Sequence, residues 1–499
     1  MKTNNFILVT LFSIVSILSF SQTQGVSYTA VGRGVATSMV TDYHALGINP
    51  SALGWGNRYG KRFTVGTTEF NFGIYSDSLN VDKLRKLYKA VRNDVLGKEN
   101  TSDDWAEQRK FVSEYFRAGL TIDASYNWLG YSFHNEKFGG IAVSITEKYN
   151  WYSKLNDQTA GLLFEGKFSD YFDSLTVVFG SDTTQIANTG NYSNDTLSHV
   201  IAGTITVPLN LSKITEGSDI RFTWDRYYNF GYGRKIFGQD STFALYGGIG
   251  GRFIQSMAMM TMQSDGDKVY MYSSFSPFYG IDYGAIANAN PSNFQSSKSF
   301  IPKSVGNGYG LDFSVSAKLL GMLTLSAAVN NIGSVTYNRN VYTVRDSIVG
   351  RMSLDGLENY NITNSYDQLL GDGGLLSLQG QEKFVLQNAA TVRFGGHIDI
   401  GEIASVGVDF VAPFDREIPG SVQNGVISVG GEVRPVKWLT LMAGYYGGGI
   451  YKNNIPVGIN FVFGGGTYEM GISSRDMLTF FMNKSNSVST AFGFARVRF

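Results

Sequence analysis

The sequence predicts an all-β protein, a transmembrane antiparallel β-barrel of about fourteen strands, and three observations carry that prediction. The first is alternation: Ala390, Val392, Phe394, Gly396, Ile398 and Ile400 share one face of an extended chain, with Thr391, Arg393, Gly395, His397 and Asp399 on the other. Similar two-faced runs recur at 220–225, 311–319 and 406–410. A soluble sandwich alternates too, so the second observation, connection length, decides between them. The short linkers NEK, FGQD, LG, GE, PV and GGG take turns with long ones, as in a barrel with short turns on one side of a membrane and long loops on the other. The third is composition: 59 glycines, 9 prolines and 14% aromatic residues suit many twisted strands joined by tight turns.

The elements follow in chain order. MKTNNFILVTLFSIVSILSFSQ places Lys2 before an apolar run from Phe6 to Phe20 and small residues at Ser19 and Ser21, so residues 1–21 read as a cleaved export signal. The run is shorter than the roughly 18 apolar residues of a spanning helix, and no later stretch is long and apolar enough. Residues 22–60 are rich in small residues, with a helix-compatible stretch near Tyr43–Leu46 that Pro50 stops. Residues 61–499 hold the barrel. Strands are expected at 63–76, 124–134, 138–152, 220–236, 241–256, 308–319, 322–338, 388–400, 403–413, 423–434, 437–447, 453–463, 467–474 and 487–499. The first of them slips phase between Val65 and Phe70.

Four insertions, 77–123, 153–219, 257–307 and 339–387, are too long for simple turns and should carry structure of their own. The first reads as a helical hairpin, with Leu84, Tyr88, Val91 and Val95 and then Trp105, Val112 and Tyr115 at helical spacing. The polar run SDTTQIANTGNYSNDTLS in the second reads as a solvent-facing loop. In the third, MTMQSDGDKVYMYSS reads as a hairpin turning at Asp265–Asp267, and the methionine run MAMMTMQ as a segment packed on the barrel mouth.

Composition also argues against several function classes. There are no cysteines, which removes disulfides and thiolate metal sites, and the four histidines, His44, His134, His199 and His397, lack metal-ligand spacing. No metal or cofactor is expected. Basic and acidic residues balance at 41 each, so nothing points to nucleic acid. The polar strand faces put Arg393, His397, Asp399, Asp409, Glu432 and Arg434 on one side of neighbouring strands. A catalytic reading needs a nucleophile held by a base, and His397 with Asp399 supplies only the orienting half of one. An ion-pair network lining the lumen is the expected role, and no enzyme activity is expected.

The C-terminal AFGFARVRF alternates as well, so Arg496 and Arg498 should face the lumen while Val497 and Phe499 face lipid. A terminal phenylalanine resembles the signal read by the machinery that inserts outer-membrane barrels, which makes Phe499 a candidate assembly signal.

Two stretches carry a family resemblance. AVGRGVATSMVTDYHALGINPSALGW, residues 30–55, resembles the N-terminal signature of the long-chain fatty-acid transporter (FadL-like) superfamily, with Asn49, Pro50, Ala52 and Leu53 in its Asn-Pro-x-x-Leu motif. GYGLDFSVSAKLLGMLTLSAAVNNIGSV, residues 308–335, is similar to PorV-type proteins, though Ser314 stands where those have glycine. The resemblance implies a bacterial outer-membrane location and an N-terminal segment folded into the barrel as a hatch. It implies two functions between which the sequence does not choose. One is passage or binding of hydrophobic small molecules, which requires an apolar pocket in the lumen or hatch. The other is a non-transporting scaffold that partners a secretion-system protein, as PorV-type members do in type IX secretion, and it requires exposed apolar patches on the outer loops.

Overall fold

The computed structural model describes residues 27–79, 82, 112–190, 194–281, 301–356, 376–422, 424–449, 453–477 and 486–499. The export signal and most of the expected helical hairpin lie outside the described residues. Fourteen strands form the wall: β1 Phe63–Ser76, β2 Leu120–Asn135, β3 Gly139–Lys154, β4 Asp219–Gln239, β5 Phe243–Ser264, β6 Gly306–Leu319 and β7 Leu323–Tyr337; then β8 Thr391–Ile400, β9 Ala404–Pro413, β10 Val426–Val436, β11 Leu439–Gly448, β12 Val457–Phe463, β13 Tyr468–Ser474 and β14 Ser487–Arg498. Each pairs antiparallel with its neighbours, and β14 pairs back onto β1 from Thr64↔Arg498 to Tyr75↔Ser487, which closes the barrel. Closure satisfies every edge, the condition for strands to cross a bilayer. Phe63 and Phe499 complete the seam, exchanging backbone hydrogen bonds of 2.9 and 3.0 Å and stacking their rings 5.5 Å apart.

The outer surface is an apolar belt. Phe230, Ile249, Phe313, Leu325, Phe394, Ile398, Val408, Ile427 and Val429 are all exposed, whereas Thr391, Arg393, Ser405, Asp409 and Ser428 on the alternate positions are buried; in β14 a register shift between Gly493 and Arg496 turns Phe494 outward although Arg496, two residues on, is buried. A contiguous apolar surface of this extent is stable only against lipid. Phe394→Arg and Ile398→Arg are each expected to cost about 2–4 kcal/mol, against under about 1 kcal/mol for Phe394→Leu, by denaturant titration in bilayers.

The phase slip in β1 is real and has a cause. Thr68 adopts a positive φ of 57°, unusual for a β-branched residue, and the slip moves the inward face from Thr64 and Gly66 to Glu69 and Asn71. Glu69 thereby enters the lumen.

The inserted segments build a cap on the long-loop side. Strands Ser174–Phe179, Asp182–Ala187, Val200–Asn210 and Ile348–Met352 form a separate four-stranded sheet. The polar run read as a loop therefore starts with a strand, Asp182–Ala187, because Thr183, Thr184 and Ile186 are β-branched and pair with Ser174–Phe179. A second ribbon extends the wall: β5 runs past the membrane belt and pairs with Val269–Phe275 across a turn in which Asp265 Oδ1 accepts from the backbone N–H of Asp267 and Lys268. Met257, Met260, Met262 and Met271 pack there with Trp224, Phe275, Phe164 and Leu211 into one buried cluster shared by the insertions.

Candidate functional site: a hatch seated in the lumen

Residues 27–60 fold inside the barrel at the end carrying the short turns. Helix α1, Tyr28–Arg33, is capped by Ser27, whose hydroxyl accepts from Ala30 N–H, and ends at Gly34 in the left-handed region. It lies against β10 to β14, while the turns Asp42–Ala45 and Pro50–Trp55 lie against β2 to β6. The segment therefore touches both halves of the wall.

Glycines make the seat. Gly66 and Gly130 are cross-strand partners, and a Cβ on either would fall within 2.2 Å of the Tyr43 side chain. Gly471 and Gly493 are partners too, and a Cβ on either would fall within 2.9 Å of the Tyr28 ring; on Gly430 or Gly444 it would fall within 2.3 Å of the Arg33 carbonyl. Pro50, Ser51 and Leu53 press on Gly140, Gly233 and Gly248. Placing glycine where the hatch arrives lets backbone meet backbone.

Polar contacts fix its orientation. Asn49 is fully buried and donates from Nδ2 to the Thr37 carbonyl (2.7 Å) and Ser316 Oγ (3.2 Å), while Ser51 Oγ donates to Asn49 Oδ1 (2.6 Å). Ala52 and Leu53, the apolar members of the motif, are buried in the hatch's own cluster with Tyr43, Ile48 and Ala142 of β3. At the seam, Arg496 lies 2.7 Å from Asp42 and 3.4 Å from Glu469; Arg498 lies 3.2 Å from Asp42 and also pairs with Glu469. Tyr28 and Asn460 donate to the same Glu469 carboxylate. Glu69 receives Tyr43 Oη (2.6 Å), His44 Nε2 (2.9 Å) and Asn127 Nδ2 (3.0 Å).

Two hatch groups that titrate in the acid range have shifted acidities. Burial, and then the Arg496 charge, hold the His44 imidazole below its ordinary value. Burial pushes the Asp42 carboxyl up, but Arg496 and Arg498 outweigh it and hold the group below its usual range. The docked hatch thus binds fewer protons than an undocked one, so docking is at full strength above the ordinary histidine value of about 6.5 and weakens as pH falls below it, with a second loss through Asp42 below about 4. Single-channel recording is expected to show more frequent openings at pH 5 than at pH 7.5, and His44→Gln is expected to flatten that difference.

Of the six polar residues singled out on β8 to β10, Glu432, Arg434, Asp399 and His397 are linked through Ser405, while Asp409 is turned to the hatch. Glu432 pairs with Arg434 and with Arg33 of the hatch (2.7 Å). Asp409 accepts from the hatch amides of Ala36 (2.7 Å) and Thr37 (2.8 Å), with Arg393 on its own buried wall. His397 lies 3.4 Å from Asp399, which accepts from Ser405 at 2.6 Å, and Ser405 Oγ in turn accepts from Arg434 at 3.0 Å. Sequence reading passed over Tyr28, Asp42, Tyr43, His44, Glu69 and Glu469; the phase slip was the signal for Glu69, and the paired Arg496 and Arg498 for an acidic partner.

Above the hatch is a chamber of about 130 Å³. Its roof is the β9–β10 loop: Arg416 O accepts from Arg221 of β4 at 2.5 Å, and Gly420 abuts Asn150 of β3, so the loop reaches across the mouth to the far side of the barrel. The walls carry Lys148, Arg252, Arg393, Asp123, Asp225, Asp409 and Asn330. Tyr227, Val335, Tyr337, Leu386, Val411 and Val426 line the same space, so charged and apolar groups share the chamber wall.

No family model matches the chain, and no curated protein does. Solved structures do. The chain is similar to the toluene transporter TodX of P. putida (11% identity, 96% of this chain and 99% of that one, TM-score 0.43). It is similar to the monoaromatic hydrocarbon channel CymD (9%, 95% and 98%, TM-score 0.40) and to a FadL homologue of Pseudomonas aeruginosa (11%, 96% and 99%, TM-score 0.38).

Proposed function

We propose that the chain is a bacterial outer-membrane barrel that admits small molecules, hydrophobic ones in particular, past a releasable hatch. The observation that carries this reading is how the hatch is held. Its latches are ion pairs and hydrogen bonds to wall residues such as Glu69, Glu432, Asp409, Arg496 and Arg498, on a seat of glycines. Charges of this kind exchange a protein partner for water at small net cost, so the segment can leave without exposing a large apolar wall. A hydrophobic cargo is supported by the resemblance of residues 30–55.

The loop that crosses the mouth favours a second reading, in which the barrel is closed and the cap docks a secretion-system protein. Val207 and Ile348, 72% and 67% exposed on the cap's four-stranded sheet, are the apolar residues such a partner would cover. Extraction of the native protein in mild detergent separates the two. An apolar small molecule retained at about one per chain supports the channel, and a stoichiometric protein with no retained small molecule supports the scaffold. Export and the barrel-insertion machinery belong to the same proposal: Phe499→Asp is expected to lower membrane insertion, measured as the heat-modifiable fraction in outer membranes, and wild-type insertion would remove Phe499 from that role.

A further inference from the structure

Lys148 and Asp225 stand directly opposite each other on β3 and β4, both facing the chamber. Opposite charges in that relation ordinarily close on each other. These do not. The Lys148 ammonium lies over the Tyr227 ring, 5.2 Å from its centre, and makes no ion pair or hydrogen bond among the described residues. Asp225 is 5% exposed, and its Oδ1 has no hydrogen-bond partner. Across the chamber Asn330, 2% exposed, has neither its amide nitrogen nor its amide oxygen matched. Buried polar groups left unmatched in this number are costly, and costlier still when charged.

Other charged groups on the wall are already engaged. Arg252 is tied to Asp312 at 2.5 and 2.6 Å, and Asp409 is turned onto the hatch amides. Asp409 Oδ1, Asn331 Oδ1 and Arg252 Nε are unmatched too, but the Lys148 ammonium, Asp225 Oδ1 and the Asn330 amide offer a cation, a carboxylate oxygen and a group that both donates and accepts, around a space that holds a solute of about six to ten heavy atoms. A ligand of a single sign would satisfy one member of the Lys148–Asp225 pair and repel the other.

We propose that the chamber binds a small zwitterion, an α-amino acid or short peptide, with its carboxylate on Lys148, its ammonium on Asp225 and its amide or remaining polar atoms on Asn330. This goes beyond the hatch-gated channel and does not depend on its cargo.

Isothermal titration of the full chain in micelles tests it, with glycyl-glycine as the zwitterion and acetate and methylamine as single-charge probes. The dipeptide is expected to bind at least tenfold more tightly than either probe, and Lys148→Met and Asp225→Asn are each expected to weaken it at least tenfold. Equal binding of acetate or methylamine, saturation by none of the three, or wild-type affinity in both variants would overturn the proposal. Should the variants lose the gel shift on heating that marks a closed barrel, the ranking of the three probes on the wild-type protein decides alone. None of these outcomes alters the conductance expected on hatch removal, so the two readings fail separately.

Discussion

Deleting residues 27–60 is expected to leave a folded barrel whose conductance in a planar bilayer rises well above that of the intact protein. The wall closes on itself through β14 and β1 without any hatch residue, so folding does not require the segment. The groups it covers, Glu69, Glu432, Asp409 and the Arg496–Arg498–Glu469 cluster, are charged, and water replaces the hatch around them readily. A fourteen-stranded barrel leaves a lumen wide enough for a water-filled path once it is cleared. The β9–β10 loop still crosses the mouth, so a second deletion within 414–422 is expected to raise conductance further. If the hatchless protein inserts normally and conducts no more than the intact one, the loop and cap close the barrel and the scaffold reading takes precedence.

Glu469→Leu is expected to destabilise the protein by about 3–5 kcal/mol, the largest loss of any single substitution considered. Glu469 is 3% exposed and sits between Arg496 and Arg498, which are equally buried, and it also accepts from Tyr28 and Asn460. Removing the carboxylate leaves two buried guanidinium groups sharing only Asp42, and two donors without an acceptor. Glu469→Leu combined with Arg498→Leu is expected to recover a substantial part of that loss, since the excess charge is removed with its partner. Denaturant titration in micelles measures both. A single variant within about 1 kcal/mol of wild type would mean that water, rather than Glu469, neutralises the arginine pair.

By itself the sequence determined the wall. Period-two alternation is a local property, and a strand such as Thr391–Ile400 shows its lipid and lumen faces to anyone who reads residues in sequence. Turn lengths are local too, which is why fourteen strands, the inward direction of Arg496 and Arg498, and the phase slip before Phe70 were all legible. What fills the lumen was decided only by the tertiary structure. Barrel curvature and strand register choose partners far apart in the chain: Arg33 meets Glu432, 399 residues away, and Asp42 meets Arg496, 454 away. Those choices tie Glu432 and Asp409 to the hatch, while Ser405 joins Arg434 to Asp399 and so to His397. Strand Asp182–Ala187 was misread as a loop because its polar composition was weighed above its pairing, and the path of 414–422 across the mouth left no local mark at all. A side chain's face follows from its neighbours in sequence; its partner follows from the closure of the whole sheet around the hatch.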